Sequence, residues 1–183
     1  MEALELLLNR ASQPRLTEPA PQGDVLQNIM QSALQAPDHA CLRPWKFVIC
    51  TGEGLIKLGQ LFDVAAKQDG MSEQAQQKAP KLPMRAPMVV VAIAKYQEHE
   101  KVPWVEQVAS ASCSVHAMQM AAVAQGYAGI WRTGKFAQSR TVKQGFNLTD
   151  EDEIVGFLYL GTAVTKTRPR AIKSTDDYFE FWQ

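Results

Sequence analysis

Between Trp104 and Gln125 the apolar residues Trp104, Val108, Ala111, Val115, Met118 and Ala122 recur at alternating steps of four and three, one stripe of a 3.6-residue helix. The other faces are hardly more polar. Glu106 is the only formal charge in the span, and Ala109, Cys113, Ala117, Ala121 and Ala124 fill positions that a surface helix gives to lysine or glutamate. Such a pattern predicts a helix buried all round, inside one domain or against another subunit. Gln107, Ser110, Ser112, Ser114, His116 and Gln119 interrupt the run too often for a membrane span.

A second pattern is the continuous apolar run. Met88-Val89-Val90-Val91-Ala92-Ile93-Ala94 is rich in β-branched residues and predicts a central strand buried on both faces. Ile154 to Gly161 predicts another buried strand, Lys46 to Cys50 a third, and Tyr127 to Trp131 a short fourth. Between them lie helical patterns. Leu4, Leu7 and Leu8 face one way on a short first helix that closes at Asn9-Arg10, and Asp24 is placed to cap a helix from Val25 to Gln35 with Val25, Ile29 and Ala33 inward. Glu53 to Gln77 predicts one or two helices broken near Asp69-Gly70, and Val142 to Phe146 belongs to a small one. Pro80, Pro83 and Pro87 predict a stretched connection. Helices and strands mix without a regular βαβ rhythm, so the expected class is α+β, with residues 1–183 as a single domain.

Composition narrows the function classes. With 183 residues, 46% of them apolar, the chain can bury one sizeable core. Its net charge is zero and neither half carries a basic block, so a nucleic-acid footprint is absent. Cys41, Cys50 and Cys113 are an odd set with no framework spacing, which suits a reducing compartment. The opening Met1-Glu2-Ala3-Leu4-Glu5 is acidic where a secretory signal is basic, and a cytoplasmic location is expected. After Gly161 the tail turns basic at Lys166, Arg168, Arg170 and Lys173, then ends in Tyr178-Phe179-Glu180-Phe181-Trp182. Exposed aromatics at a terminus invite aggregation, so these are expected to dock on something.

Several chemistries drop out. No Gly-x-Gly-x-x-Gly follows a strand, and Gly54 to Gln60 misses a P-loop because Gln60 stands where lysine is required. Cys113 and His116 are one helical turn apart but lack a second ligand pair, so a core histidine is the preferred reading over zinc, and no metal site is assigned. Cys41 near His39 lacks a third orienting group in its own loop, which disfavours a thiol nucleophile. Arg10, Ser12 and Arg15 offer two cations and a hydroxyl after a helix end. They suit a phosphate, but on spacing alone a helix C-cap with basic residues against the dipole is the preferred reading.

Taken in order, Arg10-Ala11-Ser12, Pro37-Asp38-His39 before Pro44-Trp45, Ala122-Val123-Ala124-Gln125-Gly126 and Gly129-Ile130-Trp131-Arg132 resemble the FMN-dependent nitroreductase family, in its small single-domain branch, over nearly the whole chain. The resemblance implies a nitroreductase-like homodimer, its central mainly antiparallel sheet flanked by helices. It implies that Arg10, Ala11 and Ser12 hold the FMN phosphate and ribityl chain, that Gln35, Pro37, Asp38 and His39 reach over the partner's flavin, and that Trp131, Arg132 and Thr133 run beside the isoalloxazine ring through backbone groups. Ala121, Ala122, Val123, Ala124, Gln125 and Gly126 stand at the branch's nicotinamide segment. The chain departs from the family at Ala11, where an arginine is usual, and at Pro14, where larger members carry a lysine facing flavin N1 and O2. It departs again at Cys41 and Arg43, where asparagine and glutamine are common. Arg15 is a replacement cation by position.

With FMN carrying the hydride, the lack of a catalytic triad or carboxylate pair is expected. The implied activity takes hydride from NADH or NADPH and passes it to a small acceptor such as a nitro compound or quinone. The alternative from another class is a flavin-binding carrier or sensor with little turnover.

Overall fold

The computed structural model describes residues 2–165 and 174–182. The chain runs α1 (Ala3–Asn9), β1 (Leu16–Thr17), α2 (Gly23–Ala33), a 3₁₀ turn at His39–Cys41, β2 (Trp45–Thr51), α3 (Glu53–Gln68) and α4 (Glu73–Lys78). Two more 3₁₀ turns precede β3 (Met88–Ala94), and then follow α5 (Trp104–Ala124), β4 (Ala128–Arg132), α6 (Lys135–Gln138), α7 (Arg140–Gly145) and β5 (Glu153–Ala163). The strand order is β1-β5-β3-β2 with β4 also on β5, and among the described residues every pairing is antiparallel.

Alternation along the two central strands builds both halves of the core. Val89, Val91 and Ile93 of β3, with Ile154, Phe157 and Tyr159 of β5, pack toward Leu55, Leu58 and Phe62 of α3 and Val142 of α7. Met88, Val90, Ala92, Leu158 and Leu160 pack instead toward Ile29 and Ala33 of α2 and Ala111, Val115, Met118 and Ala122 of α5. The register slips at Ala92/Ile93, where Gly156 pairs with Ala92 but Ile154 pairs with Ile93, so β5 carries an extra residue. Gly156 sits at φ 147°, and a Cβ there would lie 2.2 Å from Trp131 Nε1. That glycine lets the Trp131 indole lie against β5, where it donates to Val155 O at 3.0 Å.

Core helix α5 ends in a Schellman turn: Tyr127 N donates to Ala122 O at 3.0 Å and Gly126 N to Val123 O at 3.0 Å, with Gly126 at φ 86°. The chain thereby reverses straight into β4. The predicted stripe is inward from Val108 onward, with Ala111, Val115 and Ala122 at 0% exposure, whereas Trp104 at the helix start is exposed. Within one chain burial all round does not hold, because Val105, Ala109, Cys113 and His116 are exposed, a second stripe at steps of four, four and three. His116 is therefore a surface residue and no core histidine.

Other expectations shift locally. Asp24 lies in the first turn of α2, whose N-cap is Gln22, so it favours the helix dipole without capping. Pro80 and Pro83 open two 3₁₀ turns, Ala79–Lys81 and Pro83–Arg85, in place of a stretched connection. The break at Asp69-Gly70 is present, between α3 and α4. Leu4, Leu7 and Leu8 are exposed, as are Tyr178, Phe179, Phe181 and Trp182, so within one chain the aromatic tail is not docked. Lys166, Arg168, Arg170 and Lys173 lie outside the described residues.

Candidate functional site

The first predicted segment begins where α1 stops. Arg10 is the C-cap, its backbone N donating to Leu6 O at 3.0 Å, with Arg10 and Ala11 half-buried and Ser12 exposed. Gln13 N then donates to Gly129 O at 3.0 Å, and Gln119 Nε2 donates to the same oxygen at 2.9 Å. One hydrogen bond thus ties the Arg10 to Ser12 segment to the strand that runs on into Trp131, Arg132 and Thr133. The bond joins the residue after Ser12 to a residue two positions before Trp131.

Gly129 itself is packed tightly. A Cβ there would lie 2.9 Å from both Leu160 Cδ2 and Tyr159 O, so the glycine lets β4 pack closely on β5. Gly134, at φ 85° and ψ −167°, ends the strand in a conformation that favours glycine. Trp131 and Arg132 are half-buried and Thr133 is exposed. Among the described residues, Arg132 Nε is buried with no hydrogen-bond partner.

The second predicted segment forms a separate cavity of about 240 Å³ against α5, lined by Pro37, Asp38, His39, Glu106, Ser110 and Cys113 among others. Its loop is fastened at three points: Ser110 Oγ donates to Pro37 O at 2.6 Å, Arg43 N donates to Asp38 Oδ2 at 2.8 Å, and His39 Nδ1 meets Glu106 Oε2 at 2.8 Å. Between them Ala40, Cys41 and Arg43 have φ of 60°, 55° and 51°. Each left-handed non-glycine residue costs roughly 1–2 kcal/mol, so the fastenings hold a strained loop. Glu106 supplies the third group that the loop sequence lacked for His39. The signal that could have found it was its isolation, a lone carboxylate on an otherwise uncharged helix.

Gln35 is exposed beyond the end of α2. Within one chain, the Pro37 to His39 loop and the Trp131 to Thr133 strand end line different cavities. The Ala121 to Gly126 segment is divided: Ala122 is fully buried, Ala124 and Gly126 are exposed, and Gln125 bonds Asn28, Ala121 and Val25. It adjoins the start of β4, about 16 Å from Thr133 at strand rise. Among the described residues no group of three or more His, Cys, Asp and Glu is placed to hold a metal, and no helix is long and apolar enough to cross a membrane.

Comparison with known proteins decides the family. The Nitroreductase family model matches residues 8–162. This chain belongs to the nitroreductase family. It is 48% identical over 166 residues to the protein of Escherichia coli (strain K12) named "Putative NAD(P)H nitroreductase YdjA", covering 91% of each chain. It is 35% identical to the "Putative NAD(P)H nitroreductase" of Haemophilus influenzae, covering 99% of this chain and 100% of that one. In fold it is similar to a nitroreductase-like family protein from Bacillus cereus, with a TM-score of 0.86 at 21% identity over 100% of this chain and 97% of that one. It is also similar to the "FMN and NADPH-dependent nitroreductase NfnB" of sphigopyxis sp. strain HMH, with a TM-score of 0.74 at 16% identity over 100% of both chains. The mostly antiparallel sheet with flanking helices is thus the nitroreductase-like fold.

FMN offers acceptor atoms at both ends, in its phosphate and its pyrimidine carbonyls. This nitroreductase-family chain offers matching donors. Arg10 and Ser12 lie just before Gln13, whose backbone bonds Gly129, and three residues further along that strand the Arg132 guanidinium has, among the described residues, a buried Nε without a partner. An unpaired buried donor is costly, and a ligand acceptor relieves that cost. The residues present fit the cofactor.

Proposed function

We propose that the chain, over 1–183 as a single FMN-binding domain, is a cytoplasmic NAD(P)H-dependent flavin oxidoreductase that reduces a small acceptor such as a nitro compound or quinone. The observation that carries this reading is the Gln13 to Gly129 hydrogen bond, which draws the Arg10 to Ser12 segment alongside the strand ending in Trp131, Arg132 and Thr133. The printed names of the relatives support the nicotinamide donor, and that of the sphigopyxis protein supports FMN.

FMN, when bound, supplies the two-electron chemistry. The protein's part is to hold and orient it. Arg10 and Ser12 give the phosphate charge-assisted donors, and Trp131, Arg132 and Thr133 offer backbone groups along the ring. The shared-site homodimer accounts for features a lone chain leaves idle. Leu4, Leu7, Leu8, the Val105, Ala109 and Cys113 stripe and the aromatic tail are apolar surface of the kind that subunits cover. In that dimer Gln35, Pro37, Asp38 and His39 of one subunit serve the flavin of the other, which fits their separation from Thr133 within one chain. It also gives the Ala121 to Gly126 segment a route to the nicotinamide from the neighbouring subunit.

The test is an absorbance spectrum of the purified protein after FMN addition and desalting, followed by anaerobic reduction with NADH or NADPH. Retained flavin bands and rapid bleaching are expected. Retention with slow bleaching supports a carrier or sensor instead, and no retention defeats the reading.

A further inference from the structure

Strands β2 and β3 pair with Trp45 opposite Ala94, and the bond from Lys95 N to Pro44 O at 3.0 Å carries that ladder one residue past the strand ends. Two steps further, the same register sets Gln97 opposite Leu42. Backbone pairing cannot follow there, because Cys41 and Arg43, on either side of Leu42, have φ of 55° and 51°, outside the strand region. A side chain takes over: Gln97 Nε2 donates to Leu42 O at 2.7 Å.

The connector from β3 to α5 that carries Gln97 is itself fixed on both sides. Gln107 of α5 is 1% exposed; its Oε1 accepts from Gln97 N at 2.9 Å, and its Nε2 donates to Gln97 O at 2.7 Å and to Val102 O at 3.2 Å. One residue before Gln97, Tyr96 N donates to Asp152 Oδ1 at 3.0 Å, and Lys95 pairs with the same carboxylate. A buried amide is costly unless its donors and acceptor are met. Gln107 spends both donors and its oxygen on connector backbone, so it dictates where the connector lies, as an apolar residue of similar size would not. Three neighbouring residues of α5 then reach one loop. Ser110 holds Pro37 O, Glu106 meets His39, and Gln107 acts through Gln97 on Leu42.

We propose that Gln97 and Gln107 are positioning residues that set the Pro37 to Arg43 loop, and with it His39, before FMN binds. The proposal rests on the shared-site reading, in which His39 serves the partner's flavin. A loop already held in its binding conformation loses less freedom when the cofactor arrives, so this clasp acts on FMN affinity more than on the stability of the fold.

The experiment compares the parent with Gln97→Ala, Gln107→Met, His39→Ala and the double variant Gln97→Ala/Cys41→Asn. Three quantities are read: NMR hydrogen exchange at the Cys41 and Arg43 amides of the FMN-free protein, FMN affinity by fluorescence titration, and the urea midpoint of the FMN-free protein. Gln97 is exposed, so Gln97→Ala is expected to keep the parent midpoint while speeding loop exchange and weakening FMN, each about fivefold, the worth of one hydrogen bond. Asparagine takes the left-handed region more readily, so adding Cys41→Asn recovers much of both losses, a rescue that a bond serving only the fold does not give. Gln107→Met should show the same loop signature with a lower midpoint, and if it fails to fold, Gln97→Ala still decides. Loop exchange that ignores Gln97→Ala overturns the proposal. So does a loss of affinity that Cys41→Asn leaves untouched, or parent-like FMN affinity in Gln97→Ala when His39→Ala is impaired. If His39→Ala binds FMN as the parent does, or if the parent takes up none, it is the shared-site reading that fails. Loop exchange in the FMN-free protein then decides the clasp by itself: faster in Gln97→Ala upholds it, and unchanged defeats it.

Discussion

His39 Nδ1 lies 2.8 Å from Glu106 Oε2, so the strained loop after α2 is pinned to the one formal charge on α5. An ionised carboxylate only accepts hydrogen bonds, which makes Nδ1 the donor. In the proposed dimer, where His39 serves the partner's flavin, Glu106 would fix its orientation. The pair is half exposed, so its worth is on the order of 0.2–1 kcal/mol. Glu106→Leu is expected to weaken FMN by up to about fivefold, and Glu106→Gln by less, in a fluorescence titration. Equal affinities for the parent and Glu106→Leu would remove His39 from the site.

The same loop makes a prediction about stability. Cys41 has φ 55°, and asparagine, the common family residue there, tolerates that region better than other side chains with a Cβ. Cys41→Asn should raise the denaturant midpoint by about 0.5–1 kcal/mol of stability. A lower midpoint would mean that the thiol makes a contact that outweighs the strain.

Local pattern made most of this fold legible and long-range partnership did not. Met88 to Ala94 could only be a central strand, and the Gly126 turn announced the end of α5, because both signals lie within a few residues of one another. Glu106 and His39 are 67 residues apart, and Gln97 and Leu42 are 55 apart, so no spacing rule connects either pair. The exposed stripe of α5 was unreadable for another reason. Alanine, cysteine and valine look alike in a sequence whether the covering surface is the same chain or a second copy.

At the candidate flavin wall Gly156 combines a steric clash with backbone strain, its φ being 147°, whereas Gly134 carries backbone strain alone. Gly156→Ala drives a methyl into Trp131 Nε1 and Arg132 O, which a Cβ would approach to 2.2 and 2.7 Å. Overpacking of this kind costs about 1–3 kcal/mol and should displace Trp131, lowering both the melting temperature and FMN affinity. At Gly134 a Cβ meets nothing within 4 Å, so Gly134→Val acts through its φ of 85° alone. It should disturb the turn after Thr133 and cut activity, while Thr133→Ala keeps most of it. Equal losses in Gly134→Val and Thr133→Ala would show that the Thr133 hydroxyl matters.

Asp152 sets an acid limit on stability. It is buried before β5, accepts from Tyr96 N at 3.0 Å and Thr149 N at 2.9 Å, and pairs with Lys95. Burial pushes its carboxyl up, but the hydrogen bonds from Lys95, Thr149 and Tyr96 and the Lys95 charge outweigh it and hold the carboxyl below its ordinary value. The folded chain then binds this proton less tightly than the unfolded one. Its contribution is full above the unfolded carboxylate value of about 3.9 and is lost as pH falls through the lower folded value. Asp152→Asn is expected to lose about 1–3 kcal/mol at neutral pH and to flatten the acid limb of stability below about pH 4. Urea midpoints across pH would check it, and an unchanged acid limb would assign the acid transition to other carboxylates.

Dimerisation and FMN binding should behave as one thermodynamic event. The Arg10 to Ser12 segment is tied through Gln13 to the strand that runs on into Trp131 to Thr133, whereas Pro37 to His39 line a different cavity from Arg132 and Thr133, so a lone chain holds only part of the proposed flavin contacts. FMN must then tighten the dimer, and the dimer must tighten FMN by the same factor, because linkage is reciprocal. The tail enters the same balance. Phe181 and Trp182 are 84% and 91% exposed in one chain, an apolar surface that a partner can cover. Ending the chain before Tyr178 should weaken association, and through the linkage it should weaken FMN even though none of the proposed FMN contacts is removed. Sedimentation of full-length and truncated protein across a dilution series, with and without FMN, separates the outcomes. FMN should shift the full-length protein toward dimer at every dilution, with the truncated protein lagging at equal FMN. A monomer that holds FMN with full affinity sinks the shared site, and with it the roles of Gln35 and His39.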